Sequence, residues 1–417
     1  MTDSGSIRKI DRIAGRLICG FLSLIHAGLP RKPRGPIRRV LIIELFEMGA
    51  SIMAYPALNY IKRAIEGAEI FCLCTDSVKQ SWELLEVVPK KNIITVSGKT
   101  PVSFVFSLLR AVLQLRRLKF DLAIDLELFM RIPAIIAFLS GARLRAGFHR
   151  YLMEGLYRGN FYDYRVAFNQ NAHISKNFMS VVQAALHNKT DMPTLKAAIA
   201  PEDMRFAHYR PDPEIGKAVA AKIRRLRPDF DGGPLVIVCP AVGRTLAVRN
   251  YPRESFVKVI SAILDARPDH HVLLIGVTDD REICAATARD VNNPRCIDFC
   301  CQTANLRELI ELLARSSLLI GNDNGPLHFA SLTDCRILGL FSTDSPYVYG
   351  PMGTAMVLYG FFQCSPCIFA YNHKNSPCSD GRCLRGIAPE TVAKFALKML
   401  DNDFKPQTIN GTIPYFW

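Results

Sequence analysis

From Val40 onward the chain alternates short apolar runs with stretches of helical periodicity, and then does so a second time. Val40 to Glu44, Ala68 to Cys74, Ile93 to Val96 and Leu122 to Leu126 read as buried strands, with helices over Ser51 to Ala64 and Phe104 to Leu118. Leu235 to Cys239, His271 to Ile275, Leu318 to Gly321 and Arg336 to Phe341 form the second set of strands. Helices over Arg253 to Ala266, Asp280 to Val291 and Leu306 to Ser316 separate them. Parallel strands need a crossover between them, so this alternation demands parallel sheets with helices on their faces. Residues 143–200 are less regular, and Pro201 to Pro213 is polar and proline-containing, which marks a boundary. The expected organisation is a helix and linker over 1–36, two α/β domains over 37–205 and 206–395, and a tail over 396–417. In open α/β sheets ligands collect outside the carboxyl ends of the strands, so a cleft between the domains is the expected ligand site. Helix N-termini at that edge favour an anion.

The excess charge is unevenly placed. The whole chain carries +14, and residues 1–39 alone hold nine Lys and Arg against two Asp. A nucleic-acid protein spreads its basic surface over the folded domain, so the distribution argues against nucleic acid and for an anionic surface met by the N-terminus. Ile7, Ile10, Ile13, Leu17, Phe21 and Leu24 recur at near-helical spacing beside Arg8, Lys9, Arg12 and Arg16. Two readings fit: a basic amphipathic helix in a membrane interface, or a helix packed on the protein's own core. Leu29 to Pro36 then breaks it. The longest apolar stretch, Leu17 to Leu29, has 13 residues and contains His26, too short to span a bilayer. The odd number of cysteines, 13 spread over the whole length, suits reduced thiols.

No Walker A loop and no GxGxxG after a first strand are present, so a nucleotide would need other helix N-termini. The most informative segment runs from Leu319 through Gly321-Asn322-Asp323-Asn324-Gly325-Pro326-Leu327-His328 to Ala330. A buried strand enters a polar turn, and proline then suits the first helical position. Such a junction either holds a diphosphate or is only a capped strand-to-helix turn. Cys364, Cys367, Cys378 and Cys383 have spacings that could close a zinc site, but the last is loose, and packed or free thiols are the favoured expectation. Cys300-Cys301 and Cys72-x-Cys74 read most simply as core residues.

The Asn322 to Ala330 stretch resembles the D-[ST]-G-P-x-H-x-A signature of the family 9 glycosyltransferases, the family of the lipopolysaccharide heptosyltransferases. Further segments agree in order: Arg39 to Leu58, Phe120 to Leu126 with Ser140 to Arg143, Arg249-Asn250-Tyr251-Pro252, and Leu274-Ile275-Gly276 through Glu282. The resemblance covers roughly residues 38–395 and implies an α/β GT-B fold of two Rossmann-like domains, the first for the acceptor and the second for the nucleotide sugar. It also implies inverting, metal-independent transfer to an envelope glycolipid or glycan, by an enzyme held at the cytoplasmic face of an inner membrane. By motif matching, Asp323, Asn324, Gly325 and His328 contact sugar and diphosphate, Arg249 neutralises phosphate unless it forms only a surface salt bridge, and Thr278 or Asp279 lies near the ribose. Arg131 and His173 are candidate acceptor-site residues. The family usually has Gly-Asp, the proposed general base, where this chain has Gly49-Ala50. Glu47 and Glu127 are the replacements expected, each otherwise a solvated loop acid. The missing aspartate leaves a second reading, a non-catalytic envelope-assembly protein of the same fold. A transferase for another nucleotide sugar is a third.

Overall fold

The computed structural model describes residues 10–30, 35–149, 157–189, 195–242, 247–369, 376, 378–401 and 415–416. The chain divides after Phe206 into two compact units, each with its own sheet.

In the first unit, β1 (Arg39–Ile43), β2 (Glu69–Thr75), β3 (Ile93–Val96), β4 (Leu122–Asp125), β5 (Leu144–Phe148) and β6 (Tyr164–Val166) lie in the order β3-β2-β1-β4-β5-β6. Every pairing is parallel. Val40 to Ile43 are fully buried because β1 pairs on both edges and is covered on both faces, which is why it reads as an unbroken apolar run. The connection reverses direction between β1 and β4, so the carboxyl ends of these two strands flank the unit's switch point.

Among its helices are α1 (Arg16–Gly28), α2 (Met48–Met53), α3 (Tyr55–Ala64), α4 (Pro101–Leu118), α5 (Ile132–Leu139) and α6 (Ile174–Leu186). The single helix expected over Ser51 to Ala64 is in fact α2 and α3. Pro56 has no N–H to give the carbonyl four residues back, and the helix re-forms around it. Thr100 and Ser103 form a reciprocal capping box at the start of α4. Residues 143–200 hold β5, β6 and α6. Arg145 and Gly147 interrupt the apolar pattern of β5, although Arg145 is buried and paired with Asp163.

Both readings of the N-terminal helix have a counterpart in the structure. After a π-helical turn, Asp11–Gly15, α1 packs one face on the first unit, burying Cys19 and Leu22 in its core. The buried Asp11 carboxylate accepts hydrogen bonds from the Arg131 and Ile132 amides at 2.8–3.0 Å, satisfying the open start of α5. The other face leaves Ile13, Leu17, Phe21 and Leu24 exposed.

In the second unit, β7 (Leu235–Cys239), β8 (His271–Leu274), β9 (Cys296–Asp298), β10 (Leu318–Asn322), β11 (Arg336–Phe341), β12 (Ala355–Tyr359) and β13 (Tyr415–Phe416) lie in the order β13-β12-β11-β10-β7-β8-β9, again all parallel. Here the switch point falls between β7 and β10. Helices α7 (Arg253–Ala266), α8 (Arg281–Val291), α9 (Gly325–Ala330) and α10 (Pro389–Leu400) follow along the chain. Among the described residues no helix is long and apolar enough to cross a membrane.

Candidate active site

Each switch point gathers polar side chains from loops that follow its strands. In the second unit, Asn322 ends β10 fully buried, and its Oδ1 accepts the Tyr251 amide at 2.9 Å. Tyr251, itself buried, donates its hydroxyl to the Ile387 carbonyl at 2.7 Å. These two bonds fix the segment that carries Arg249 against the end of β10. Asn324 ties β10 to β7, its Nδ2 donating to the Ala241 carbonyl at 3.1 Å and to Cys239 Sγ at 3.0 Å. Arg249 then lies 3.6 Å from Asp323, donates its Nε to Thr343 Oγ1 at 3.3 Å, and pairs closely with Asp344.

Asp344 and Thr343 were not expected. They follow β11, the parallel neighbour of β10, so Asp323 and Asp344 reach the corner from adjacent strand ends. Asn322 Nδ2 and Asn324 Oδ1 are buried with no hydrogen-bond partner among the described residues. A buried amide group costs stability unless a polar partner reaches it, so the corner is chemically suited to a polar ligand. His328 is half-buried on α9, one turn from Asn324. Thr278 is exposed and Asp279 half-buried in the turn after β8, a separate loop of the same sheet edge. The buried Asp280 beside them accepts the Val277 amide at 3.0 Å and so shapes that turn. Gly325 begins α9, where an added Cβ would make only ordinary contact with Phe329.

The first unit's switch point is acidic. Glu44 follows β1 and is 2% exposed; Glu127 follows β4 and is 3% exposed. Burial, and then the charges of Glu127 and Glu47, push the Glu44 carboxyl well above the usual carboxylate range. Glu47 caps the start of α2, half-buried, with its amide donating to Glu44 Oε1 at 3.3 Å. The structure therefore brings Glu47 and Glu127 around Glu44, a residue the sequence reading had placed only in a strand. Asp125, fully buried, pairs with Arg158 at 2.6 Å, accepts the Tyr162 hydroxyl, and accepts the Glu127 amide at 3.0 Å. Burial raises its pKa, and Arg158 and Tyr162 pull it back.

The two acceptor candidates have local work. Arg131 is buried, with its guanidinium 3.7 Å from Asp11 and its Nε donating to the Tyr157 carbonyl at 2.8 Å. His173 caps α6, its Nδ1 accepting the Ser175 amide at 3.3 Å. Of the four C-terminal cysteines, Cys364 and Cys378 are exposed, Cys367 half-buried and Cys383 buried. Burial raises the Cys367 thiol, and the other three thiols add to the rise. Among the described residues, the set whose possible ligand atoms all lie within 4.8 Å is instead Cys284, Asp298 and Cys300.

Comparison with known proteins identifies the family. The model of glycosyltransferase family 9 (heptosyltransferase) matches residues 108–375. Lipopolysaccharide heptosyltransferase 1 of Campylobacter coli is 19% identical over 316 residues, which cover 74% of this chain and 85% of that protein. The E. coli ADP-heptose lipopolysaccharide heptosyltransferase II has the same fold, with a TM-score of 0.66 at 15% identity over 87% of this chain and 98% of its own. An E. coli heptosyltransferase solved with ADP gives a TM-score of 0.59 at 15% identity over 87% of this chain and 99% of its own. The family match spans more than half the chain and includes the Arg249 corner, so this protein belongs to glycosyltransferase family 9, the heptosyltransferases, and is a glycosyltransferase.

Proposed function

We propose that this enzyme transfers a heptose, with inversion, from a nucleotide diphosphate sugar to a lipopolysaccharide or related envelope acceptor. The observation that carries the reading is the β7–β10 corner. There Arg249 offers a guanidinium fork, and Asn322 Nδ2 is buried and open to a polar partner. An acceptor hydroxyl oxygen bonds to the anomeric carbon as the bond to the diphosphate breaks. Arg249 takes up the charge of the departing diphosphate, Asp323, Asn324, Gly325 and His328 hold sugar and phosphate, and Thr278 or Asp279 meets the ribose. The hydroxyl proton passes to Glu47, the half-buried member of the acidic corner, with Glu127 as the second candidate. No metal ion is required by this scheme.

Asp323→Ala and His328→Ala should each abolish transfer while circular dichroism and melting stay unchanged, and ADP should raise the melting temperature of the unmodified chain. Full activity in both variants sinks the donor assignment. An unmodified chain that binds ADP but turns over no nucleotide sugar favours the non-catalytic reading.

We further propose that transfer takes place at the cytoplasmic face of an anionic membrane. Helix α5 packs against both α1 and α4; α1 exposes its apolar stripe, and α4 exposes Val102, Phe106, Leu109 and Leu113. Phe21 and Phe106 are 64% and 70% exposed. Arg12, Arg16, Arg110, Arg116 and Arg117 are exposed on the same two segments, and Asp11, the one acid in them, is buried. A second copy docked on this face would set cations against cations, whereas an anionic bilayer answers both its charge and its apolar surface. Vesicles rich in phosphatidylglycerol should sediment the protein, less so as salt rises, and Phe21→Asp with Phe106→Asp should release it. Binding indifferent to salt and to both substitutions counts against the bilayer.

A further inference from the structure

Cys284 lies in the first turn of α8, Asp298 ends β9, and Cys300 and Cys301 follow in the next turn. One ligand atom from each of Cys284, Asp298 and Cys300 lies within 4.8 Å of the other two, and the Sγ atoms of Cys300 and Cys301 are 3.6 Å apart. A disulfide would place two sulfurs about 2.05 Å apart. Tetrahedral zinc, with Zn–S bonds of about 2.3 Å, sets its sulfurs roughly 3.8 Å apart. The 3.6 Å spacing is no disulfide, so the Cys300 thiol is reduced and able to bind a metal.

Independent features converge on the same group. Cys301 adopts φ 61°, a left-handed conformation that a side-chain-bearing residue enters at a cost and that persists where the surroundings impose it. Its amide donates to the Gly276 carbonyl at 3.1 Å. A Cβ at Gly276 would come 2.7 Å from Asp280 Cβ and 3.2 Å from Cys300 Sγ, so glycine lets the turn after β8 pass close to both. Cys284 and Cys300 donate to the carbonyls of Ile275 and Val277 at 3.8 and 3.5 Å, so both thiols face the turn that follows β8.

We propose that Cys284, Cys300 and Asp298 bind a thiophilic divalent cation with solvent at the fourth position, zinc by the softness of two sulfurs beside one carboxylate oxygen. Each thiol that joins the metal gives its proton to solvent, so affinity rises with pH. The cation ties the start of α8 and the end of β9 to the turn carrying Thr278 and Asp279. Its consequence for the donor rests on the function proposed above; the site itself does not.

The test uses the full chain, reduced, stripped with chelator and titrated with cobalt(II). To exclude the C-terminal thiols it is run in both the unmodified protein and the Cys364→Ser/Cys378→Ser variant. One cobalt per chain with a thiolate-to-metal absorption band is expected in both. Cys300→Ser and Asp298→Asn should weaken binding by at least 10- to 100-fold. Should Cys300→Ser fail to fold, Asp298→Asn at the half-buried position carries the test without disturbing the core. No band in the Cys364→Ser/Cys378→Ser protein, or a band indifferent to both Cys300→Ser and Asp298→Asn, overturns the site. A normal band in a chain that binds no nucleotide sugar overturns the donor reading instead.

Discussion

At the β1–β4 switch point the chain crowds Glu44, Glu47, Asp125 and Glu127 into one corner, whereas the β7–β10 switch point is built around the guanidinium of Arg249. Strand order, parallel pairing and reversal of connection are alike in the two sheets. Topology therefore decides where a site forms, and the loop residues decide what it does. The acidic corner repels a diphosphate and attracts a proton. In the function proposed above the second corner meets the diphosphate through Arg249, which Asp323 and Asp344 hold in place.

The contrast breaks first if the acidic corner is not basic in function. Glu47→Gln should slow single-turnover transfer on the order of 10²- to 10⁴-fold with donor affinity little changed, and Glu127→Gln should do so if it is the base instead. Near-normal rates in both remove the corner from catalysis. Next is stability: Arg158→Met leaves Asp125 buried without its cation, and a loss of about 3–5 kcal/mol is expected in urea unfolding. Recovery in the Arg158→Met/Asp125→Asn double variant would tie that loss to the pair. On the donor side, Arg249→Lys keeps the charge but loses the fork, so ADP affinity measured by calorimetry should fall about tenfold, or about 1.4 kcal/mol. Unchanged affinity would make Arg249 a structural ion pair.

The smallest effect concerns Glu44. Its carboxyl is pushed above the ordinary value of 4.5, first by burial and then by Glu127 and Glu47, so the folded state favours the protonated form. Stability from this preference is fully present below the ordinary value and is lost as pH rises through the folded one. Glu44→Gln removes the ionisable group. Melting at about pH 8 should rise by about 2–4 °C, the equivalent of about 1 kcal/mol in a domain of this size, and the gain should vanish near pH 4. A gain independent of pH would show that charge is not the cause.

The strands that read clearly from sequence are those buried on both faces, where every side chain is apolar, such as Val40 to Ile43 and Leu235 to Cys239. β5 was missed because Arg145 and Gly147 break its run, and β9 because Cys296-Ile297-Asp298 is too short to show a period. The Asn322 to His328 turn was legible because its polar residues, glycine and proline are local in sequence. Glu44 and Asp344 were not, since what makes them site residues is the strand beside them: β4 for the first, β10 for the second. Arg131 had an ordinary helix-start position, and nothing nearby signalled a carboxylate 120 residues away.

That carboxylate, Asp11, has a thermodynamic consequence. By closing the start of α5 it makes the apolar helix part of the domain instead of an appended tail. If a lipid surface grips the outer face of α1 as proposed above, it binds the native domain and not the unfolded chain, so lipid and fold become linked equilibria. Vesicles should raise the melting temperature of the first unit by mass action. By the same linkage, loosening the Asp11 contact should weaken the grip of lipid even though no lipid-facing residue has changed.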